Sequence, residues 1–139
     1  MLCTAQANIA VVSFSLGAKA AYTRYSRDID IEARNNPETL WFVAAGNDGD
    51  RPPMSHGTQV NAPANAKNIV CVGATNGASN MASFSSKGFD SRSRPILPTV
   101  VANGVRVYSA SNGVACEIKS KQGTSMATPS IAGMAAVLR

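Results

Sequence analysis

Two short, nearly all-apolar segments frame an amphipathic stretch near the start of this chain. The first, Asn8-Ile9-Ala10-Val11-Val12-Ser13-Phe14-Ser15-Leu16, is rich in β-branched residues and ends at Gly17. It reads as a strand buried on both faces. The second, Leu40-Trp41-Phe42-Val43-Ala44-Ala45, is again nearly all apolar and stops at Gly46-Asn47. Between them, roughly from Ala20 to Asn35, Tyr22, Tyr25, Ile29 and Ala33 recur at spacings of three and four, which sets them on one face of a helix. Asn35-Asn36-Pro37 ends that helix. Strand, helix and strand within about forty residues form a βαβ unit, which requires parallel pairing and a right-handed crossover.

The rest of the chain extends the same pattern. From Asp48 to Lys67 it turns polar, with Pro52, Pro53 and Pro63 punctuating a long loop of the kind that is usually functional. A third strand is expected over Asn68-Ile69-Val70-Cys71-Val72-Gly73-Ala74, and short strands over Thr99 to Ala102 and Val105 to Ser109. Thr124 to Arg139 reads as a helix rich in small residues, with Ala127, Ile131, Ala135 and Leu138 along one side and Pro129 near its start. The expectation is an α/β fold, a mostly parallel sheet flanked by helices. Composition agrees: 139 residues, 45% hydrophobic but only 6% aromatic, suit one domain or part of one whose interior relies on small side chains. No internal repeat or linker is visible, and a start on a strand with a stop inside a helix suggests truncation at both ends.

Charge and cysteine content narrow the partners. The net charge of +5 is spread over scattered residues such as Arg24, Arg51, Lys87 and Lys121. There is no dense basic run and no interleaved aromatic to stack on a base, so a solvated surface is expected and no nucleic-acid partner. Cys3, Cys71 and Cys116 are too few and too far apart for a disulfide framework or a metal site. Ile9 to Leu16 followed by Ala18-Lys19-Ala20 imitates a leader peptide, but no basic segment precedes it and the residues serve better as a strand. Nothing approaches the ~18 continuous apolar residues of a membrane span, so no membrane partner is expected.

Chemistry concentrates in Gly123-Thr124-Ser125-Met126-Ala127-Thr128-Pro129. A serine hydroxyl needs a base to become a nucleophile, and a glycine-led helix start presents it well. There its backbone N–H is also free to donate to developing negative charge. Small neighbours Ala127, Ala132 and Gly133 would let the helix pack closely. A lone Ser at a helix start is more often only a cap. This run, however, continued by Ile131-Ala132-Gly133, resembles the nucleophile signature of subtilisin-like serine proteases, G-T-S-M-A-x-P-h-h-A-G, at every position where the pattern names a residue.

The resemblance extends over nearly the whole chain. Ser13-Phe14-Ser15-Leu16-Gly17 is similar to the strand end that forms one wall of the family's S1 pocket, and Ala44-Ala45-Gly46-Asn47-Asp48-Gly49 to the opposite wall, whose Asn completes the oxyanion hole. Pro63-Ala64 through Ala74 and Ala82-Ser83-Phe84-Ser85-Ser86-Lys87-Gly88 also look like subtilase segments. It implies a partial subtilisin-like fold, the C-terminal part of the catalytic domain. Ser125 would be the nucleophile, Asn47 the oxyanion donor, and Ser15, Leu16, Gly17, Ala44, Ala45 and Gly46 the substrate-binding residues. The position of Asn47 also suits the rule that open parallel sheets bind ligands beyond the carboxyl ends of their strands, against the plainer reading of a turn-forming Asn. The cleft walls suggest a roomy, uncharged pocket for large apolar or aromatic side chains.

Two departures qualify the match. No aspartate sits in the D-[ST]-G turn of the family, and the only histidine, His56 in His56-Gly57-Thr58, follows both pocket walls instead of preceding them and continues as Gln59-Val60-Asn61 where H-V-A is expected. The triad Asp and His are therefore expected upstream of this fragment, as part of the rest of the catalytic domain, and the fragment alone is expected to be almost inactive. Pro98 to Gly104 also replaces the usual K-P-D-h-h-A-P-G, with Thr99 and Asn103 at altered positions. The resemblance implies a polypeptide substrate, a secreted or extracytoplasmic setting, and possible calcium, for which no ligand cluster and no other cofactor is visible. The alternative is a non-catalytic subtilase-like module that binds extended peptide.

Overall fold

The computed structural model describes residues 9–53, 57–89, 96–113 and 116–139. Its elements in chain order are β1 (Val11–Phe14), α1 (Arg24–Asn35), β2 (Leu40–Ala44), β3 (Val70–Thr75), β4 (Gly88–Phe89), β5 (Ile96–Leu97), β6 (Val100–Asn103), β7 (Val107–Ala110), β8 (Ile118–Lys121) and α2 (Thr124–Leu138). Four strands form one sheet in the order β1-β2-β3-β6. Every pair in it is parallel, with Val12 opposite Trp41, Val43 opposite Cys71, and Ala74 opposite Ala102. Two antiparallel pairs, β4 with β5 and β7 with β8, stand apart from it.

Strand periodicity decides which helix each residue meets. Phe42, Val72 and Ala74 point to one face and pack with Ala127 and Ala132 of α2. Trp41 points to the other face, against Ile29 of α1. Val43, Ala45 and Cys71 pack there with Val60 and Ala64 from the segment between β2 and β3. Val43, Val60 and Val72 are completely buried, each contributing about 1.5–3 kcal/mol of transfer free energy. The mostly parallel sheet with helices on both sides is the α/β arrangement expected from the sequence.

Several elements differ from the sequence reading. β1 covers only Val11–Phe14, and Ser13 is exposed while its neighbours are half-buried. It pairs on one side only, with β2, so it is an edge strand of the described sheet and not buried on both faces. In α1 the buried positions are Ser26, Ile29 and Asp30, whereas Tyr25 is 60% exposed. The polar members are buried because the facing backbone needs them. Asp30 Oδ1 accepts from the N–H groups of Lys67 and Asn68 at 2.7 and 2.8 Å, its Oδ2 accepts from Tyr22 at 2.7 Å, and the Ser26 hydroxyl donates to Asn65 at 2.6 Å. A carboxylate with such partners can be buried without an opposing cation. In α2, Leu138 is 87% exposed and Ala132 takes the buried place. A Cβ on Gly133 would meet nothing within 4 Å, so that glycine is not what permits close packing among the described residues.

Part of the long segment after β2 leaves the surface. Residues 58–66 are buried beneath the sheet, which demands that its backbone polar groups find partners. The Gln59 N–H donates to the Lys87 carbonyl, the Val60 N–H to Thr58 Oγ1, the Ala62 N–H to the Ala20 carbonyl and the Ala66 N–H to the Pro63 carbonyl, while the Gln59 side chain ties in neighbouring segments by donating to the carbonyls of Gly49 and Arg51 and accepting from the N–H of Lys87. His56 lies outside the described residues.

Candidate active site

The carboxyl ends of β1 and β2 and the first turn of α2 meet at one end of the sheet. There a cavity of about 260 Å³ is lined by Ser15, Leu16, Gly17, Ala44, Ala45, Gly46, Asn47 and Ser125, together with Ala18, Lys19, Asp48, Asn61, Ala62 and Thr124. All eight residues singled out from the sequence thus share one cavity, although Ser15 and Asn47 are 110 and 78 residues from Ser125 along the chain.

Ser125 is the second residue of α2, after Gly123 and Thr124. The φ of Gly123 is +147°, a conformation that L side chains rarely adopt. Its carbonyl accepts the N–H of Met126 at 3.0 Å, which fixes the first turn. The N–H of Ser125 is one of the orphan donors of a helix start and has no partner among the described residues. Pro129 is four residues beyond Ser125, past the first turn, so its missing N–H is one that the helix would otherwise use, and not one of the vacant positions of a helix start. It lacks the N–H that would bond the Ser125 carbonyl in the regular helix pattern, and that oxygen lies 3.5 Å from the Ser15 hydroxyl. The Ser125 hydroxyl is 3.5 Å from the Ser15 carbonyl, and no imidazole or carboxylate among the described residues bonds to it.

Asn47 is oriented by a residue that sequence reasoning treated only as part of a signature. The Thr124 N–H and Oγ1 both donate to Asn47 Oδ1, at 2.9 and 3.1 Å, and Thr124 Oγ1 also accepts the N–H of Gly46 at 3.2 Å. Thr124 is fully buried. The acceptor end of the Asn47 amide is therefore occupied, while Nδ2 has no partner among the described residues. The turn carrying Asn47 is braced from below by the serine-rich run. The Asp48 N–H donates to Ser86 Oγ at 3.0 Å, the Ser86 N–H to the Gly46 carbonyl at 3.0 Å, and the Gly49 N–H to the Phe84 carbonyl at 2.8 Å. A Cβ on Gly49 would lie 2.4 Å from the carbonyl oxygens of Ser83 and Ser85, so only glycine fits. Ser85 Oγ accepts the Ala74 N–H at 3.0 Å and ties the same run to β3. Polar spacing alone could not single out these serines, because their partners lie on other strands.

On the β1 side, the segment after the strand is held mainly by backbone bonds: the Ala18 N–H donates to the Ala62 carbonyl and the Ala62 N–H to the Ala20 carbonyl, both at 2.9 Å, with a long 3.5 Å contact from the Ser15 hydroxyl and an exposed ion pair from Lys19 as its side-chain ties. The cavity is also not uncharged, as expected from its walls, because Lys19 and Asp48 line it. No group of three or more His, Cys, Asp or Glu that could hold a metal ion occurs among the described residues, so the calcium implied by the resemblance has no acidic cluster among them. Nor is any helix among them long and apolar enough to cross a membrane.

Comparison with known proteins agrees with this geometry. The model of the Subtilase family matches residues 2–139. Subtilisin-like protease 1 of Pseudogymnoascus destructans is 42% identical over 96 residues, covering 69% of this chain and 21% of the relative. Subtilisin DY of Bacillus licheniformis is 34% identical over 137 residues, covering 96% and 43%, and the cuticle-degrading serine protease of Arthrobotrys oligospora is 35% identical over 130 residues, covering 93% and 28%. The chain thus spans between 21% and 43% of the length of these relatives. Since the family model covers almost every residue, and the serine run, the asparagine turn and the parallel sheet fall together in space, the chain belongs to the subtilase family.

Proposed function

We propose that this chain is the C-terminal portion of a subtilase catalytic domain and contributes the nucleophile, the oxyanion hole and the substrate cleft of a serine endopeptidase. Ser125 attacks the scissile carbonyl and carries the acyl group. Its own N–H and Asn47 Nδ2 receive the oxyanion, and Ser15 to Gly17 with Ala44 to Gly46 form the two walls against which the polypeptide lies. The observation that carries this reading is the Asn47 amide. Its oxygen is held by two bonds from Thr124, so its free donor is fixed beside the serine before any substrate arrives. Donors fixed in advance stabilise developing charge without reorganising during the reaction.

The base that takes the Ser125 proton, a histidine oriented by an aspartate, is proposed to come from upstream sequence. Asp30 is spent on backbone N–H groups and Asp48 on Lys19 and Arg51. Without that base the hydroxyl keeps its proton and reacts slowly. A fluorophosphonate probe applied to the complete gene product should label Ser125 rapidly and be blocked by Ser125→Ala, whereas the 139-residue chain alone should label slowly. Rapid labelling of the short chain that His56→Ala abolishes would give His56 the role denied to it here. A complete gene product that binds extended peptide but is never labelled would make it the non-catalytic module. The extracytoplasmic setting implied by the resemblance is part of the same proposal.

A further inference from the structure

Lys19 and Asp48 stand on opposite walls of the cavity, the lysine in the segment after β1 and the aspartate in the turn after β2. Their side chains meet across it, Lys19 Nζ lying 3.4 Å from Asp48 Oδ1. The same oxygen holds Arg51 Nη1 at 3.1 Å. One carboxylate therefore engages two cations, and the cluster carries a formal charge of +1. The Asp48 side chain is 18% exposed against 55% for Lys19, so the anion is the sheltered member and the lysine the accessible one.

The two cations are not equivalent. Arg51 reaches Asp48 from within the same turn and does not line the cavity, whereas Lys19 lines it and has no polar partner but Asp48 among the described residues. A carboxylate entering the cavity can take over Lys19 while Arg51 keeps Asp48 paired, so no charge loses its counter-ion. An entering ammonium or guanidinium would be a third cation competing for a single carboxylate, and would meet the like charge of Lys19 on the cavity wall.

We propose that this cavity seats an acidic side chain of the polypeptide substrate in preference to a basic one, with Lys19 as the specificity-determining residue and Arg51 as the partner that releases it. The inference deepens the reading of the cavity as a substrate pocket and rests on it. It also replaces the sequence expectation of an uncharged pocket for large apolar side chains.

The test compares fluorogenic peptides that differ only in carrying Glu, Leu or Lys before the scissile bond, using the complete gene product at low and high salt. Glu should exceed Lys in kcat/KM by about fivefold, the scale of one part-exposed ion pair, and the ratio should shrink as salt screens it. Lys19→Met should bring the ratio near one and Lys19→Glu should reverse it, with thermal unfolding checked for each variant. If no peptide is cleaved, the endopeptidase reading fails by itself, and charge preference is then read from fluorescence anisotropy of labelled peptides ending in Glu or Lys on the same protein. Tighter binding of the Glu peptide that Lys19→Glu reverses supports the proposal. Equal or tighter binding of the Lys peptide, or a Glu-to-Lys ratio unmoved by both Lys19 variants and by salt, overturns it.

Discussion

The two walls of the cavity begin alike, each a parallel strand running into a glycine-containing turn, yet they are held in place differently. The β2 wall follows a strand whose residues 41–44 are all buried, and its turn is braced by side chains from two distant segments, Thr124 and Ser86. The β1 wall follows an edge strand, has Leu16 72% exposed, and is anchored by backbone bonds to Ala62. Under the proposed function, the braced wall would carry the donor whose position must be accurate to a fraction of an ångström, and the freer wall the surface against which varied side chains would be read. Division of a site between a fixed and an adaptable half follows from where side-chain hydrogen bonds are available.

This contrast can be broken or sharpened by experiment. The largest effect should come from Asn47→Leu, which removes the fixed donor and should lower kcat of the complete enzyme about 10²–10³-fold with little change in KM, a magnitude borrowed from subtilisin itself. An unchanged kcat would remove Asn47 from the oxyanion hole. Next, Gly49→Ala should cost roughly 1–3 kcal/mol in denaturant unfolding, because its Cβ would meet two backbone carbonyls that cannot move without disturbing the brace. Gly17→Ala on the open wall should change stability by less than about 0.5 kcal/mol, since its Cβ would lie 3.5 Å from the nearest atom, the Ala62 carbonyl. Equal costs at the two glycines would deny the contrast.

How deeply the braced half is sealed can be read at Cys71, on β3 beside β2. Burial pushes its thiol from 9.0 up to about 12, partly opposed by a hydrogen bond involving the Thr99 backbone. A group whose folded pKa is raised holds its proton longer in the native state, so its contribution is intact below pH 9 and is lost as pH rises from 9 towards 12. In that window stability should fall by up to about 1.4 kcal/mol per pH unit from this group, and Cys71→Val should flatten the slope. Identical alkaline slopes in the two proteins would mean that the thiol is not sealed. A milder loosening of the brace is Thr124→Val, which deletes the hydroxyl bonding Gly46 and Asn47 but keeps the backbone bond to Asn47. It should cost about 1 kcal/mol of stability and reduce kcat severalfold with KM nearly constant. A change confined to KM would place Thr124 in substrate binding instead.

The sheet was legible in advance because buried parallel strands are written as continuous apolar runs: β2 falls within the residues expected, and β3 starts within them and runs one residue beyond, to Thr75. Strands β4, β5 and β8 were not. Ile118–Lys121 has one apolar residue in four and is exposed along its length, and it forms because β7 lies opposite it, not because of its own pattern. Tyr25 was placed on the buried face of α1 for a related reason. Periodicity finds apolar residues on one side of a helix, but Ser26 and Asp30 won the contact because the facing backbone supplied donors and acceptors. At the cavity, the residues of the two walls and the serine were visible as segments, while Thr124, Ser86, Lys19 and Asp48 acquired their roles from partners on other segments.

The sequence by itself therefore determined the parallel α/β arrangement, through strand-length apolar runs joined by a helix, and the helix-start serine, through a local run whose chemistry needs only its neighbours. Tertiary structure alone decided which end of the Asn47 amide is occupied, which wall is braced, and that the cavity is spanned by an ion pair. Each of these depends on the distance between groups remote in the chain, and backbone propensity and residue spacing carry no information about such a distance.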